Sequence, residues 1–237
     1  MDLSIVIPVR NEAANIGPLV GEIRVALEGR LDYEIIVVDD GSTDRTAETL
    51  RGLKSSVTRL RLLRHARRSG QSAAIRSGVR AAQSAWIATL DGDGQNDPAD
   101  IPRLWELVRQ TPNAPLMIAG MRQKRRDSAV KRLASRIANR VRARLLDDGT
   151  PDTGCGLKLF PRALYLDLPF FDHNHRFLPA LILRQGGRVQ SIAVNHRPRG
   201  GGVSNYRVFD RLWVGIVDLI GVLWLKLRAV NPEVSEE

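Results

Sequence analysis

Two apolar runs near the N-terminus constrain the fold of this chain more than any other feature. The runs "LSIVIPV" (3–9) and "YEIIVVDD" (33–40) are apolar and β-branched at most positions, whereas a strand with one wet face would alternate apolar and polar residues. A helical pattern that ends near Leu27 separates them. Strands buried on both faces and joined by helices form parallel sheets covered by helices on each side. The sequence therefore predicts an α/β fold with a mainly parallel sheet.

The same alternation of strand and helix continues along the chain. Further strands are predicted at 57–63 and 85–90, and helices at 46–53, 72–83 and 98–108. Asp97 followed by Pro98 is typical of a helix cap and the first helical residue after it. Three more strands are predicted in "APLMIAGMR", "TGCGLKLF" and "GGRVQSIAVNHRPR".

The charge of the chain points to an anionic partner. The 237 residues have a formal net charge of +10, and proteins this basic bind nucleic acids, anionic membrane surfaces or phosphorylated small molecules. The single cysteine, Cys155, excludes an internal disulfide and is expected in the core. The first apolar run has no basic segment before it and no cleavage site after it, so it predicts a strand rather than a signal peptide.

Acidic residues gather where predicted strands end. The segment "TLDGDGQNDPADIP" (89–102) holds four aspartates within ten positions. Asp39, Asp40, Asp91 and Asp93 all follow strands, and the carboxyl ends of parallel strands meet at one edge of a sheet, where ligands bind. Asp91 and Asp93, with Gln95 as a neutral oxygen donor, suit Mg²⁺ or Mn²⁺ facing a phosphorylated ligand. The alternative is a solvated acidic turn.

Four separated motifs resemble those of a known enzyme family. "IPVRNEAANI", "EIIVVDDGSTD", "TLDGDGQNDPADIP" and "RPRGGGVSNY" occur in the order found in family 2 glycosyltransferases. The chain looks most like the dolichol-phosphate mannosyltransferase and polyprenyl-phosphate glycosyltransferase branch. The resemblance covers roughly residues 3–210 and implies a GT-A fold, a nucleotide-sugar donor and Mg²⁺ or Mn²⁺. On this basis we expect a GT-A domain (1–210), an amphipathic interfacial helix (211–228) and a flexible tail (229–237).

The resemblance also implies roles for catalytic and metal-binding residues. Asp91 and Asp93 match the metal-binding aspartates, and Gln95 matches their usual companion. Arg122 matches a phosphate-contacting arginine. Arg199 belongs to a loop that closes over the phosphates, so Asp93, Arg122 and Arg199 are the catalytic candidates.

Nucleotide contacts are implied in the same way, with two departures from the family pattern. Arg10 stands where a base-stacking aromatic residue is common. Asn205 stands where a lysine is common, and Arg197 or Arg207 could supply the missing cation. The implied nucleotide-sugar contacts are Pro8, Arg10, Glu12, Val38, Asp40, Asp91, Gly92, Gln95 and Ser204.

The acceptor side rests on a predicted helix and a histidine-rich segment. The family has a pattern similar to Arg132, Ser135 and Asn139 in this helix, which implies contacts to the acceptor phosphate. In "FDHNHRF", His175 or Arg176 is expected to contact sugar or phosphate. His173 and His175 have a zinc-like spacing, but no third ligand lies nearby in the sequence, so we do not expect a zinc site. Asp152 fits either the acceptor side or a turn.

Two segments suit a membrane surface. The apolar core of 211–228 runs over 212–225, which is fourteen residues and covers about two thirds of a ~30 Å hydrocarbon layer. Trp213, Trp224 and flanking basic residues favour a helix lying in the interface, and packing on the domain or on a second subunit is the alternative. The arginine stripe of 132–144 is interpreted as a second membrane-surface helix or as a solvated face.

Together these features give a leading hypothesis and its rivals. The leading one is an inverting, metal-dependent glycosyltransferase that moves a sugar from a UDP- or GDP-sugar to a polyprenyl phosphate, peripherally bound at the cytoplasmic face of the cell membrane. A rival enzyme would use a surface-glycan or lipid-A-type acceptor. A basic nucleic-acid-binding protein is disfavoured because the arginines lack interleaved aromatic residues, so no nucleic-acid partner is expected. A homo-oligomer or a membrane-protein partner remains compatible with the sequence.

Overall fold

A seven-stranded sheet forms the centre of the molecule. The computed structural model describes residues 1–111, 115–122, 142–198 and 208–230, with side chains of the last range from residue 213. The strands are β1 (Leu3–Val9), β2 (Tyr33–Asp39), β3 (Leu60–Arg64), β4 (Trp86–Thr89), β5 (Leu116–Arg122), β6 (Lys158–Pro161) and β7 (Arg188–Val194). Their order across the sheet is β3-β2-β1-β4-β6-β5-β7.

Helices cover both faces of this sheet. They are α1 (Ile16–Leu27), α2 (Thr46–Ser56), α3 (Gln71–Ala81), α4 (Ile101–Arg109), α5 (Arg162–Leu166), α6 (Leu178–Arg184) and α7 (Val208–Leu227). Residues 142–146 are also helical. Short 3₁₀ turns occupy Pro98–Asp100 and Asn174–Arg176. The predicted cap is confirmed, because the Ala99 amide donates to the Asp97 carboxylate.

The core has two layers, one on each side of the sheet. Along β1, Leu3, Ile5 and Ile7 pack in the layer that contains α1 and α4, whereas Val6 packs in the layer that contains α3 and α6. This is why the run is apolar at successive positions. Gly78 lets α3 lie directly on β1, since a Cβ at this position would overlap Val6. The start of α3 is thereby held over the carboxyl edge of the sheet.

The prediction of a mainly parallel sheet is confirmed, with one strand reversed. β6 pairs antiparallel with both β4 and β5, and the other pairings are parallel. The strand expected over "TGCGLKLF" is shorter than predicted, since only Lys158 to Phe160 of it belong to β6. The residues before Lys158 instead cross the carboxyl end of β4. Apart from β6, the strands therefore end at one edge, and the acidic residues gather there.

Candidate active site

Asp91 lies at the centre of this edge, two residues beyond β4. The side-chain amide of Gln71, the first residue of α3, donates a hydrogen bond of 2.9 Å to Asp91 Oδ1. Gly156 approaches from the other side so closely that a Cβ there would overlap the carboxylate. The Thr89 hydroxyl donates to the Gly156 carbonyl at 2.7 Å and holds this approach in place. The carboxylate is thus enclosed by α3 on one side and by the segment before β6 on the other.

This enclosure changes the acidity of Asp91. The pKa of Asp91 is raised from 3.8 to about 6, first by desolvation in the surrounding protein and second by the neighbouring charge of Asp93. The nearby cations of Lys158 and Arg122 oppose the shift but do not cancel it. A carboxylate in this environment gains from any additional positive charge placed beside it.

The turn after Asp91 is held to the segment that follows β7. Gln95 donates its backbone amide to Asp93 Oδ1 at 3.1 Å, and its carbonyl accepts from the Arg197 amide at 2.9 Å. Its side-chain amide lies 3.4 Å from the Arg197 carbonyl and 3.5 Å from His196 Nε2. Because the side-chain nitrogen of Gln95 is engaged with these groups, its side-chain oxygen is the atom that could bind a cation beside Asp93.

A glycine permits a second close approach in this turn. A Cβ at Gly92 would stand 2.5 Å from Val9 Cγ1 and 3.2 Å from the Pro8 carbonyl. The turn that carries Asp91 and Asp93 therefore lies directly against the end of β1. Within the described part of the chain, no three His, Cys, Asp or Glu side chains converge where they could hold a metal ion. A cation beside Asp91 and Asp93 would accordingly need other oxygen ligands.

The loops after β1 and β2 are joined by hydrogen bonds into one wall. Asn11, in the left-handed region at φ 57°, donates its amide to the Ser42 hydroxyl and accepts from the Thr43 amide. Glu12 is buried, donates its amide to the Thr46 hydroxyl and accepts from the Asn15 side chain at 2.6 Å. These contacts fix the region in which the family resemblance implies contacts to the nucleotide.

Pro8 and Val38 lie opposite each other in the β1–β2 register. Val38 is fully buried, whereas Pro8 lines a cavity. Arg10 is half-buried, and its Nε atom is buried without a hydrogen-bond partner among the described residues. A buried donor of this kind costs free energy until an acceptor reaches it.

Asp39 and Asp40 are both engaged in local structure. Asp39 accepts from the Ser42 amide at 2.9 Å and pairs with Arg64 at 3.2 Å. Asp40 accepts from the amides of Ser69 and Gly70, at 2.7 and 2.9 Å. His65 Nδ1 also lies 2.7 Å from its carboxylate. Asp40 therefore fastens the end of β2 to the loop that begins α3.

Arg122, at the end of β5, forms a two-point ion pair. Its Nε and Nη2 atoms donate to the two oxygens of Asp152, each at 2.7 Å. Its backbone amide also donates to Asp152, at 3.2 Å. Asp152 thus orients the guanidinium, and the remaining N–H groups of Arg122 can still donate. A Cβ at Gly154 would stand 3.0 Å from Nη2, so the chain before β6 passes close to this group.

A cavity of about 340 Å³ opens beside Asp91. Pro8, Gln71, Gly156, His175 and Arg176 are among its lining residues. Lys158 also lines it, although this lysine is almost fully buried, and its Nζ donates to the Cys155 carbonyl. Burial lowers the pKa of Lys158, which is the direction expected for an amine removed from water. The cavity combines the carboxylate of Asp91 with two basic residues, Lys158 and Arg176. A site for a phosphorylated sugar would have this combination.

Several predicted site residues lie outside the described residues. Arg132, Ser135 and Asn139 of the expected acceptor helix are among them, and so are Arg199 and Ser204 of the expected closing loop. The suggested substitute cation Arg197 is described, and its guanidinium pairs with Glu22 at 2.6 Å. His175 lines the cavity, with its Nδ1 atom 2.7 Å from the Ser72 hydroxyl.

Three residues that surround Asp91 are not predicted by the sequence patterns. Gln71 bonds to Asp91, Gly156 makes room for it, and Lys158 lies near it in the same cavity. The glycines in "SGQ" and "TGCG" were the available signal, since glycine often marks a close approach of backbone to another group. Nothing in the local pattern indicated that Lys158 would be buried. Cys155 is buried, as expected.

Comparison with known proteins agrees with this geometry. A family model described as "Glycosyl transferase family 2" matches residues 4–168. The dodecaprenyl-phosphate galacturonate synthase of Rhizobium johnstonii is 34% identical over 98% of this chain and 69% of its own length. The undecaprenyl-phosphate 4-deoxy-4-formamido-L-arabinose transferases of Edwardsiella ictaluri and Pseudomonas aeruginosa are 32% and 34% identical, over 94% and 86% of this chain. The chain spans 66% and 60% of the lengths of these two relatives.

Solved structures show the same architecture. Glucosyl-3-phosphoglycerate synthase from Mycobacterium tuberculosis, in complex with Mn²⁺, uridine diphosphate and glucosyl-3-phosphoglycerate, aligns with a TM-score of 0.68 and 21% identity. The alignment covers 98% of this chain and 81% of that one. The same enzyme in complex with Mg²⁺ and uridine diphosphate aligns with a TM-score of 0.67. This likeness confirms the GT-A fold, and the family model together with relatives above 30% identity shows that the chain belongs to glycosyl transferase family 2.

Proposed function

We propose that this protein is an inverting glycosyltransferase that moves a sugar from a nucleotide-sugar to a polyprenyl phosphate with the help of a divalent cation. The observation that carries the proposal is the enclosed carboxylate of Asp91, placed between Gln71 and Gly156 at the mouth of a cavity lined by cations. The names of the relatives given above describe transfer to dodecaprenyl or undecaprenyl phosphate. The geometry around Asp91 and the names of these relatives both support glycosyl transfer.

The residues around Asp91 fit a divalent cation. Asp91, Asp93 and Gln95 offer hard oxygen donors within one turn, which suits Mg²⁺ or Mn²⁺ completed by water and phosphate oxygens. The raised pKa of Asp91 indicates a carboxylate short of positive charge. Bound there, a divalent cation would stabilise the negative charge of the departing nucleoside diphosphate. The solved M. tuberculosis neighbours contain Mn²⁺ or Mg²⁺ with uridine diphosphate.

The nucleotide is proposed to bind between the ends of β1 and β2. Pro8 and Val38 face each other there, and Glu12 and Asp40 lie at the same edge. The partnerless Nε atom of Arg10 is a donor that a nucleotide oxygen or base could satisfy. Gly92 keeps the neighbouring turn against β1. Arg199 and Ser204 remain proposed contacts to the phosphates, and Arg122 is held near the cavity by Asp152.

The acceptor phosphate needs orientation more than it needs a base. A phosphate monoester has a second pKa near about 6 and is largely dianionic at neutral pH. Cations aimed at the reacting groups therefore position the nucleophile and cancel part of its charge. Arg132, Ser135, Asn139 and His175 are the residues proposed for this task. Attack from the side opposite the leaving diphosphate inverts the anomeric carbon.

Helix α7 is proposed to hold the protein on the membrane. Its outward face is a stripe of apolar side chains at helical spacing, and two of them, Trp213 and Trp224, are 71% and 59% exposed. The whole stripe consists of Trp213, Val217, Ile220, Trp224 and Leu227. The two charged residues of the helix described from 213 to 227 point toward the protein: Asp218 approaches His173, and Lys226 bonds to the Leu146 carbonyl.

An uncharged face with tryptophans at both ends suits the boundary between headgroups and acyl chains. The net charge of +10 adds attraction to anionic lipids. No described helix, α7 included, has both the length and the apolarity needed to cross a bilayer. As part of the proposal, the protein binds peripherally at the cytoplasmic face of the membrane through this apolar face of α7.

A donor screen tests this function directly. The protein is incubated with UDP- and GDP-sugars, Mn²⁺ or Mg²⁺ and undecaprenyl phosphate, and the glycosylated lipid is sought by mass spectrometry. Asp93→Asn should remove the product and leave the melting temperature within a few degrees, because the change removes a ligand and not part of the core. Full activity of this variant would contradict the site. Metal-dependent hydrolysis without lipid product would contradict the polyprenyl acceptor and keep the glycosyl transfer.

A further inference from the structure

A second cavity, of about 290 Å³, adjoins the Asp91 cavity and has no role in the site described so far. The two cavities share Gln71, His175 and Arg176 as lining residues. Because Gln71 also bonds to Asp91, the second cavity begins one side chain away from the proposed cation position. A substrate bound at Asp91 could therefore extend a group into the second cavity.

The walls of the second cavity present two guanidinium groups. Arg68 is exposed at the rim and Arg176 is half-buried. Among the described residues, neither forms an ion pair or a side-chain hydrogen bond, whereas most other arginines near the sheet edge, such as Arg122 and Arg197, are paired. Asp172 lines the same cavity, so the lining residues carry two guanidinium groups and one carboxylate. The excess of positive charge favours an anionic occupant.

The acids near the cavity are engaged by a third basic residue. His173 lies with its Nδ1 atom 3.3 Å from Asp218 and its Nε2 atom 3.7 Å from Asp172. Its backbone is in the left-handed region at φ 62°, which is uncommon for a residue with a side chain. Neither carboxylate forms an ion pair with Arg68 or Arg176 among the described residues, although the charge of Arg176 acts on Asp218 at longer range. The guanidinium groups of the two arginines are therefore left without a short contact to either acid.

The backbone and His175 shape the same wall. Asp40 fixes the amides of Ser69 and Gly70, and α3 begins at the next residue, so the positive end of the helix dipole is directed at the cavity. The contact between Ser72 and His175 fixes the imidazole at the boundary between the two cavities. The wall is thus held in position by several separate contacts.

We propose that the second cavity is an oxyanion subsite, which binds a carboxylate or phosphate group carried by a substrate of the transfer reaction. The inference rests on the proposed function, because the occupant is defined by its distance from the Asp91 cation site. Two sources have the required chemistry: the carboxylate of a transferred uronic acid, and the phosphate of the acceptor. If the transferred sugar is neutral, only the phosphate of the acceptor could occupy the second cavity.

Matched donor pairs separate the two sources. Binding of UDP-glucose is compared with that of UDP-glucuronate, and binding of GDP-mannose with that of GDP-mannuronate, by calorimetry with Mn²⁺. Each pair differs only in a carboxylate. If the donor supplies the oxyanion, one acidic donor should bind at least tenfold more tightly than its neutral partner. Arg68→Gln and Arg176→Gln should each reduce that preference several-fold. Arg68 does not line the Asp91 cavity, so Arg68→Gln should leave the affinity for the free nucleoside diphosphate unchanged.

The acceptor is tested in a second arm. If the acceptor supplies the oxyanion, the same two variants should raise the KM for a polyprenyl phosphate at least fivefold, and Arg68→Gln should leave donor affinity unchanged. Arg109→Gln, on the exposed end of α4 away from both cavities, is the control and should match the wild type in both arms. Melting temperatures of all variants exclude unfolding as the cause, and Arg68 is exposed, so its replacement should not disturb the fold.

Each result decides between clear alternatives. A change in either arm supports the subsite and identifies its occupant. Unchanged donor preference together with unchanged acceptor KM in both variants would overturn it, even while the enzyme remains active. Failure of UDP and GDP themselves to bind with Mn²⁺ would contradict the proposed function, and the subsite would fall with it.

Discussion

Gly156 lies against the carboxylate of Asp91 so closely that a methyl group on its Cα would overlap that side chain. The two residues lie 65 positions apart in the sequence and meet because β6 is reversed beside β4. The position of the acid is therefore set by backbone contact and not only by hydrogen bonds. Small changes in the backbone at this point should change the chemistry of the site.

Gly156→Ala should displace Asp91 and weaken cation binding. We expect the dissociation constant for Mn²⁺ to rise at least tenfold, measured by calorimetry, because the carboxylate must rotate away from its present position. Gly52→Ala in α2 is a matched control, since a Cβ there meets nothing within 4 Å. That change should stabilise the helix by up to about 1 kcal/mol and leave Mn²⁺ binding unchanged. Equal Mn²⁺ affinity in both variants would contradict the close contact.

Asp91→Asn should stabilise the metal-free protein and abolish its response to Mn²⁺. The folded-state pKa of Asp91, about 6, lies above its ordinary value of 3.8. The fold is therefore more stable at low pH, where this carboxyl group is protonated. That stability is lost as the pH rises through about 6 and the group ionises. At pH 7.5 the variant should unfold with a free energy about 1–3 kcal/mol higher than the wild type.

Urea unfolding at pH 7.5, 5 and 4 checks the sign of this effect. The advantage of Asp91→Asn should shrink at pH 5 and nearly vanish near pH 4, where the wild-type carboxyl is protonated in the folded state. Adding Mn²⁺ at pH 7.5 should raise the melting temperature of the wild type only. If the variant is less stable than the metal-free wild type at pH 7.5, the ionised carboxylate of Asp91 does not destabilise the folded state, and the prediction is wrong.

Arg122 and Asp152 should be strongly coupled energetically. Both side chains are largely buried and meet through two side-chain hydrogen bonds, so removing one takes a two-point, charge-assisted contact away from the buried charge of the other. We expect Arg122→Ala to lower the free energy of unfolding by about 3 kcal/mol, and Asp152→Ala in the same protein to restore part of that loss. Urea unfolding of both single variants and the double variant gives the coupling energy. Additive losses would contradict the pairing.

The apolar stripe of α7 should govern binding to lipid. Replacing Trp213 and Trp224 by serine should lower partitioning into vesicles of anionic phospholipid about tenfold or more, since two large exposed side chains lose their contact with the interface. The melting temperature should not fall, because neither side chain is packed in the core. Val25→Ser, at an 83% exposed position on α1, is the control. Unchanged binding of the double variant would point to protein packing on this face.

The features that the sequence predicted well are those coded by neighbouring residues. The runs that became β1 and β2 are apolar at successive positions because both faces are covered, and the cap at Asp97 needs only the residue two positions later. The gathering of Asp39, Asp40 and Asp91 at one edge follows from parallel topology alone.

The features that could not be predicted depend on contacts between distant segments. The four-residue strand β6 runs antiparallel, and nothing in "KLFP" specifies direction. Gln71 reaches Asp91 only because α3 lies over β1 at Gly78. Lys158 would ordinarily be exposed, and its burial follows from the reversal of β6. The roles of individual site residues therefore remain predictions, whereas the family is confirmed.

The contact between Asp218 and His173 has a consequence for how far a lipid substrate must travel. It joins α7 directly to the rim of the second cavity, and a helix with its side chains is only about 10 Å across. If the outer face of α7 rests on the bilayer, the phosphate of a bound lipid has to rise by little more than one helix diameter. Only the first isoprene units would then leave the membrane. The enzyme should be indifferent to the total length of the prenyl chain, and short-chain acceptors should serve as well as long ones.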